Sequence, residues 1–362
     1  MLNGVDLRAR ESLAEQIGED SWEAQLSIGV AAQPAAADRC RVRTEPMRLG
    51  STRVARAFGI DQRFGPGTAD CLDQRSGPGA ADCLDPVGSL LVALGASVAD
   101  SVVTELSAAG CGPALLEVLP CAEFTADGTG RLSYEIRLDG EVPAEQARRA
   151  VAAARARGTA HRTLEEPNDI KAVVQTARDV HLASPPTDRA TADRTAVRRR
   201  TARVMWEIGT HVLAEVDGVH AESDQPKQLF GADLAPSAQE YFLAALAAEA
   251  LGFADPRAAA PGDPAASVHA SGRIDLRGPY STQDAPVGLR NILVQLLPAD
   301  PTRAGEAAPD AVRRWFAEGD ALRLVRDPHP IEVRLVLDGT PVPVPHPEND
   351  RTTDTKEPHR AP

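Results

Sequence analysis

The chain has 362 residues, 43% hydrophobic and 25% charged, which is a globular composition with room for about two domains and excludes wholesale disorder. A net charge of −13 opposes phosphate backbones and anionic lipid, which argues against nucleic acid or a membrane surface as partner. Five cysteines do not form a disulfide framework in a chain of this length. Residues 1–20 lack the pattern of an export signal, so we expect a cytoplasmic protein.

The first half begins with a helix pattern over residues 5–18, followed by strand patterns over residues 22–30 and 40–44. Residues 62–73 (QRFGPGTADCLD) and 74–85 (QRSGPGAADCLD) are then near-copies of each other. A solenoid needs at least three units, so we interpret this pair as slippage within a Gly- and Pro-rich loop.

An apolar helix, SLLVALGASVADSVVTELSAAG, follows this loop. It begins after Asp85 and Pro86 and ends at Gly110, which are residue types expected at helix ends. Its longest apolar run, residues 88–99, is too short to span a bilayer and predicts a buried helix. Two strands, a helix, a turn and a last strand follow at residues 114–124, 131–138, 143–157, 158 and 170–174. This order predicts an α+β fold with antiparallel sheets around a central apolar helix.

Residues 176–200 are rich in Ser, Pro, Thr, Asp and Arg and predict a linker. The second half then repeats the order of the first around the apolar helix EYFLAALAAEALGFA. It also has a predicted helix at residues 310–318. Its predicted strands lie at residues 203–216, 267–276, 291–297 and 331–337. Residues 341–362 are Pro-rich and charged and predict a disordered tail.

Two alignments between the halves indicate a duplication. ALGAS at residues 93–97 aligns with ALAAE at residues 245–249. The segments 158–167 and 319–328 each run from Gly to Pro and lead into a strand pattern. The sequence therefore predicts two copies of one domain, residues 1–175 and 201–340.

These segments resemble the OsmC/Ohr family of thiol-dependent hydroperoxide reductases, over nearly the whole chain and in two copies. LDPVGSLLVALGAS and APSAQEYFLAALAAE are similar to the family's loop and central helix, Leu-Leu-Ala-Ala-Leu-Ala-Ala-Cys. GTAHRTLEEPNDIKAVV and GDALRLVRDPHPIEVRLVL match the region of the family's second thiol, and SGRIDLRGPYSTQDAPVGLRNILVQ resembles its stretch between strands. The resemblance implies an intertwined dimer with pockets at its interface, which a tandem copy would build as an internal pseudo-dimer.

The cysteines that this resemblance implies are replaced in both copies. Ser97 and Glu249 occupy the positions of the attacking cysteine, and Gly158 and Gly319 those of the resolving cysteine. Peroxide reduction needs a thiolate that attacks the O–O bond and a second thiol that captures the sulfenic acid. The family chemistry is therefore not expected at these positions.

The polar partners of the family site are only partly kept. The acid that precedes the family helix corresponds to Glu240 in the second copy, whereas the first copy has Val87 and Gly88 in this region. Arg63 and Arg75 are the candidates for the arginine that holds the family's thiolate.

The replacements themselves are candidates for other chemistry. Glu249, in a pocket lined by Leu and Ala, is expected to have a raised pKa suited to acid or base catalysis. Alternatively, its carboxylate faces solvent or pairs with Arg323 or Arg326. His161 lies on the turn expected to face Ser97, so either a Ser/His pair forms or the histidine is hydrogen-bonded within the turn.

Relocated thiols are a further alternative. Cys71 and Cys83 lie in the copied loop, either as displaced redox thiols or as plain loop cysteines, while Cys40, Cys111 and Cys121 fit structural thiols. The sequence has no metal-ligand spacing and no nucleotide-binding fingerprint, so neither a metal nor a cofactor is expected.

Three functions remain open. The first is binding or transforming an apolar small molecule in a pocket between the copies, with Glu249, Ser97 and His161 as its polar groups. The second is a catalytically inactive structural or interaction protein. The third is an organic hydroperoxide reductase that uses Cys83 or Cys71.

Overall fold

The computed structural model describes residues 1–36, 38–63, 83–125, 130–177, 179–183, 198–254, 266–280, 282–300, 302 and 307–344. Most of the copied loop, including Cys71 and Arg75, lies outside these residues. So does the part of the predicted tail from residue 345 onward.

Two helices form the centre of the protein, and five others lie around them within the described residues. The seven are α1 (Leu7–Glu19), α2 (Pro86–Ala108), α3 (Ala144–Arg157), α4 (Thr159–Glu165), α5 (Ala238–Phe253), α6 (Ala307–Glu318) and α7 (Asp320–Arg326). The central helices α2 and α5 pack against each other and are buried on nearly all sides, which explains why their sequences lack a polar face.

Local sequence sets where the central helices begin. Asp85 accepts a hydrogen bond from the backbone N–H of Gly88 at 2.6 Å, and Pro86 stands in the first turn of α2. Ser237 and Glu240 form a reciprocal capping box at the start of α5.

Helix α2 matches the helix predicted after Asp85 and Pro86, and it is longer than the apolar run of residues 88–99. It has 23 residues, which is enough by length and apolar composition to cross a membrane, but 83% of its most apolar window is buried inside the protein. Such burial is what the core helix of a soluble protein shows.

The strands form two sheets, and each sheet contains strands from both halves of the chain. The first has the order β4 (Thr52–Val54), β3 (Met47–Leu49), β1 (Gln25–Ala36), β14 (Ser267–Asp275), β15 (Arg290–Leu297), β8 (Lys171–Gln175) and β9 (Val180–Ala183), with β2 (Arg39–Thr44) paired to β1 and β5 (Gly59–Arg63) to β2. The second has the order β13 (Val219–Ser223), β12 (His211–Val216), β11 (Arg203–Ile208), β6 (Leu115–Phe124), β7 (Gly130–Asp139), β16 (Ile331–Leu337) and β17 (Thr340–Val342), with β10 (Arg198–Thr201) paired to β6.

The same pairing pattern occurs in both sheets. In the first sheet, β1 pairs antiparallel with β14, β14 antiparallel with β15, and β15 parallel with β8. In the second, β11 pairs antiparallel with β6, β6 antiparallel with β7, and β7 parallel with β16. The prediction of an α+β fold with mainly antiparallel sheets around apolar helices is therefore confirmed.

Several elements differ from the sequence prediction. Residues 203–216, predicted as one strand, form the hairpin of β11 and β12, which turns at Gly209 with φ of 59°. Helices α4 and α7 were not predicted, because each has only seven residues and shows too little periodicity to identify a helix. Strands β9 and β10 lie at the two ends of the predicted linker.

Candidate functional site

Ser97 and Glu249, which the sequence analysis singled out, each contact a short helix. Ser97, in the middle of α2, is buried, and its Oγ accepts a hydrogen bond from the backbone N–H of Ala160 at 3.2 Å. Ala160 is in the first turn of α4, which Gly158 precedes. The serine therefore satisfies one of the N–H groups that a helix start leaves without a partner inside the helix.

Glu249, in α5, makes the corresponding contacts with α7. Its Oε1 accepts from the backbone N–H of Ala321 at 2.8 Å, and its Oε2 accepts from the backbone N–H of Leu322 at 2.9 Å. A third donor, Trp315 Nε1, lies 2.9 Å from Oε2. Both carboxylate oxygens are thus held by N–H groups of the protein.

The pKa of Glu249 is raised to about 7, as the sequence led us to expect. Desolvation is the main cause, the negative charge of Asp320 adds to it, and the three hydrogen bonds oppose it. The expected partners Arg323 and Arg326 donate instead to the backbone carbonyls of Ala317 and Phe316. Three N–H groups of the protein, rather than an arginine, therefore hold the buried carboxylate.

Gly158 and Gly319 have no space for a side chain. A Cβ on Gly319 would lie 2.6 Å from Oε2 of Glu249 and 2.8 Å from the carbonyl oxygen of Trp315. A Cβ on Gly158 would lie 2.3 Å from the carbonyl oxygen of Ala154. In this structure a second thiol could not be accommodated at either position without moving a helix.

His161 does not pair with Ser97. The imidazole is fully buried, and its Nδ1 lies 3.1 Å from the hydroxyl of Tyr134, which packs edge-on against it. Its Nε2 lies 3.7 Å from Glu165 Oε2 and has no hydrogen-bond partner among the described residues. The Ser/His alternative is therefore not formed, and the histidine joins its helix to β7 through Tyr134.

A small cavity lies beside Ser97, between α1, α2, the ends of α3 and β14, and the loop that precedes α5. Its volume is about 90 Å³, and we call it the Ser97 cavity. Apolar side chains, among them Leu26, Leu229 and Ile274, form part of its wall. The polar and charged residues that line it besides Ser97 are Arg10, Asp100, Ser101, Thr104, Glu105, Arg157, Thr159, Gln225, Gln239 and Tyr280.

The charges around the Ser97 cavity are arranged in two pairs. Arg157 Nη2 donates to Glu105 Oε2 at 2.6 Å. Arg10 Nη1 lies 3.6 Å from Asp100 Oδ1, and its guanidinium carbon lies 5.3 Å from the centre of the Tyr280 ring. Burial by itself would lower the pKa of Arg10, but the nearby Asp100 raises it above its ordinary value, so the guanidinium stays charged.

Sequence reasoning missed Arg56, which is the buried partner of Glu240. Its side chain is fully buried, with Nε 2.8 Å from Glu240 Oε1 and Nη2 2.9 Å from Glu240 Oε2. It also donates to Asp233 and to the carbonyl of Ala235. Nothing in the sequence around Arg56 distinguishes it from the nearby Arg53. Only the tertiary structure shows that Arg56 is buried and Arg53 exposed.

The described thiols are mostly buried. Cys40, Cys83 and Cys121 are buried, and Cys111 is half-buried. Burial raises the pKa of Cys40 to about 12, with smaller contributions from Cys83 and Asp61, so it is not a thiolate at neutral pH. Cys121 accepts a hydrogen bond from Arg199 Nε at 3.2 Å.

No protein-family model matches the chain, and no curated protein matches it significantly in sequence. Within the described ranges, no three His, Cys, Asp or Glu side chains converge in the way that a metal ion requires.

Proposed function

We propose that the chain is a tandem OsmC-like protein that binds a small molecule in the Ser97 cavity and does not reduce hydroperoxides. The shared pairing pattern of the two sheets supports an internal pseudo-dimer, because each sheet needs strands from both halves. The contacts of Ser97 and Glu249 with α4 and α7 support the alignment of the two copies. We further propose that it acts in the cytoplasm.

The two halves differ in what surrounds the aligned positions. In the second, Glu249 accepts three N–H donors and has Gly319 directly against it, which fills the site. In the first, the shorter Ser97 leaves a cavity of about 90 Å³. The replacement of one thiol by a long acid and of the other by a short hydroxyl thus gives one filled site and one open site.

The observation that carries this proposal is an unpartnered buried group in the cavity wall. Gln225 is 8% exposed, and its Oε1 has no hydrogen-bond partner among the described residues. A buried polar atom in this state costs free energy unless water or a ligand meets it. Because this amide oxygen and the charged groups of Arg10 and Asp100 line the cavity, we propose a small polar ligand in place of the apolar one expected from the sequence.

Ligand binding can be tested by saturation-transfer NMR with small acids, alcohols and amines. The decisive variant is Ser101→Leu, because Ser101 lines the cavity and its hydroxyl bonds only to the carbonyl of Ser97 in its own helix. We expect a probe to bind the wild type and to lose at least tenfold in affinity in S101L. Ser12→Leu, on the exposed face of α1, is the matched control and should bind as the wild type does.

The inactive structural or interaction protein is the second candidate, and the filled site at Glu249 favours it. It would replace our proposal if no probe of any class bound and S101L behaved as the wild type in every titration. In that case the Ser97 cavity would hold only water.

A reductase with relocated thiols is tested by consumption of cumene hydroperoxide in the presence of dithiothreitol. We expect the wild type to show no more turnover than a variant with all five cysteines changed to Ser. Turnover that Cys83→Ser or Cys71→Ser removes would establish the reductase instead.

A further inference from the structure

We infer that the Ser97 cavity takes a small carboxylate that also carries a hydrogen-bond donor, as a hydroxy acid does. This inference rests on the proposed function, since it names the ligand class of the same cavity. It depends on one cation, one acceptor and the size of the cavity.

Arg10 supplies the cation. Its nearest carboxylate oxygen, on Asp100, is 3.6 Å away, which is an ion pair longer than a hydrogen bond. Tyr280 covers the face of the guanidinium and leaves its edge, where the N–H donors point. The edge of a guanidinium matches the two oxygens of a carboxylate, so a carboxylate can form a bidentate pair with Arg10 there.

The acids around the cavity do not offer an equal site for a cation. Asp100 Oδ2 accepts from Gln225 Nε2 at 3.3 Å, and its Oδ1 accepts from the Thr104 hydroxyl at 3.4 Å. Glu105 Oε2 is 2.6 Å from Arg157. These carboxylates already have donors, whereas Arg10 has N–H groups to spare, which favours an anionic ligand over an amine.

Gln225 supplies the acceptor. Because its Nε2 donates to Asp100, the amide cannot be turned over without placing two oxygens against each other. Oε1 is therefore the atom without a partner, and it requires an O–H or N–H donor. A plain carboxylate has no such donor, but a hydroxy acid has one.

The size of the cavity limits the ligand. Its volume of about 90 Å³ is smaller than the roughly 150 Å³ of an engineered cavity that binds the six-carbon ring of benzene, so a ligand of at most about six non-hydrogen atoms fits. The geometry thus excludes long-chain substrates from the enclosed part of the site.

The test is an NMR titration of the full chain with four small probes: L-lactate, propionate, propane-1,2-diol and ethanolamine. Lactate carries both groups, propionate lacks the hydroxyl, the diol lacks the carboxylate, and ethanolamine reverses the charge. We expect lactate to bind at least fivefold tighter than each of the other three.

Variants assign the contacts. Arg10→Gln should weaken lactate binding at least tenfold and leave the affinity for the diol unchanged. Arg10→Lys keeps the charge without the planar edge, so its affinity for lactate should lie between those of the wild type and R10Q. Arg8→Gln, an exposed arginine of the same helix, is the charge-matched control and should not change lactate binding. Gln225→Met should remove the preference for lactate over propionate. Thermal melting verifies that each variant is folded.

Two results would overturn the inference in distinguishable ways. If the diol or ethanolamine binds as tightly as lactate and R10Q has no effect, while S101L still abolishes binding, the ligand class is wrong and the proposed function stands. If none of the four probes binds the wild type, and the wider set of small molecules also fails, both are wrong.

Discussion

Glu249 shows that a central-helix carboxylate with a raised pKa can serve as a hydrogen-bond acceptor for neighbouring helices. The carboxylate accepts from Trp315 and from two backbone N–H groups at the start of α7. Its pKa of about 7 reflects burial rather than a role toward substrate. A raised pKa points to a functional site only when the group also has access to a ligand.

The stability of the protein should decrease as pH rises, through Glu249. Its folded pKa of about 7 lies above the ordinary 4.5, so the folded chain binds this proton more tightly than the unfolded chain does. Its stabilising contribution is fully present below pH 4.5 and is lost as pH rises through about 7. With 1.36 kcal/mol per pKa unit, the loss is at most about 3 kcal/mol.

Urea unfolding at pH 4.5 and pH 8 measures this contribution. Glu249→Gln cannot titrate, so the difference between the two pH values should be smaller in E249Q than in the wild type, even where E249Q is less stable overall. Glu318→Gln, an exposed acid of α6, should keep the wild-type difference. An unchanged pH dependence in E249Q would contradict the assignment.

The buried pair of Arg56 and Glu240 should be strongly coupled. Arg56→Met leaves Glu240, which is 1% exposed, without its guanidinium, and losing one partner of a buried pair costs about 3–5 kcal/mol. The double variant R56M/E240M removes both charges and should recover much of that loss. Denaturant unfolding measures each variant, with Arg53→Met as the exposed control. Additive losses in R56M and E240M would show that the two residues are not coupled.

At the scale of elements, α4 and α7 supply the hydrogen-bond donors for Ser97 and Glu249. Each follows a glycine that lets the helix start close to the preceding one, and each directs backbone N–H groups at a central helix. Ser97 and Glu249 are the acceptors for these groups. The contact between a central helix and a short helix is therefore structural in both halves.

Gly319→Ala should disturb this contact. The new methyl group would lie 2.6 Å from Glu249 Oε2 and 2.8 Å from the Trp315 carbonyl, so α7 has to move away from α5. We expect a loss of about 1–3 kcal/mol, as for an overpacked core, and a change in the fluorescence of Trp315. Gly18→Ala in α1, whose methyl group would meet Thr282 at an ordinary 3.7 Å, should be neutral or slightly stabilising. Equal melting temperatures for the two variants would contradict this reading.

At the scale of the whole molecule, neither half can complete a sheet by itself. In the first sheet, β14 and β15 of the second half lie between β1 and β8 of the first half. In the second sheet, β6 and β7 lie between β11 and β16. Separation of the halves would leave long, unpaired strand edges.

Expression of residues 1–183 and 198–344 as separate chains tests this interdependence. We expect no folded monomer of either half, whereas coexpressed halves should purify together and elute at the mass of their sum. Size-exclusion chromatography with light scattering and circular dichroism provides the measurement. A monomeric half with native-like secondary structure would refute the intertwined arrangement.

Much of the fold was predictable because apolar periodicity is a local property. The patterns over residues 143–157, 267–276 and 331–337 gave α3, β14 and β16 with bounds within about one residue. The short helices α4 and α7 were missed, since seven residues carry too little periodicity to identify a helix. Arg56 was missed because its burial comes from distant residues, Glu240 and Asp233.

The sequence by itself determined the α+β class, the order of the main elements and the absence of a cysteine at positions 97, 158, 249 and 319. Composition and residue identity carry these properties, so no tertiary contact is needed to read them. Only the tertiary structure decided that each sheet combines strands of the two halves, that Glu249 accepts hydrogen bonds from three N–H groups and that Ser97 borders a cavity. These depend on distances between residues far apart in the chain, which the spacing of residues along a sequence does not encode.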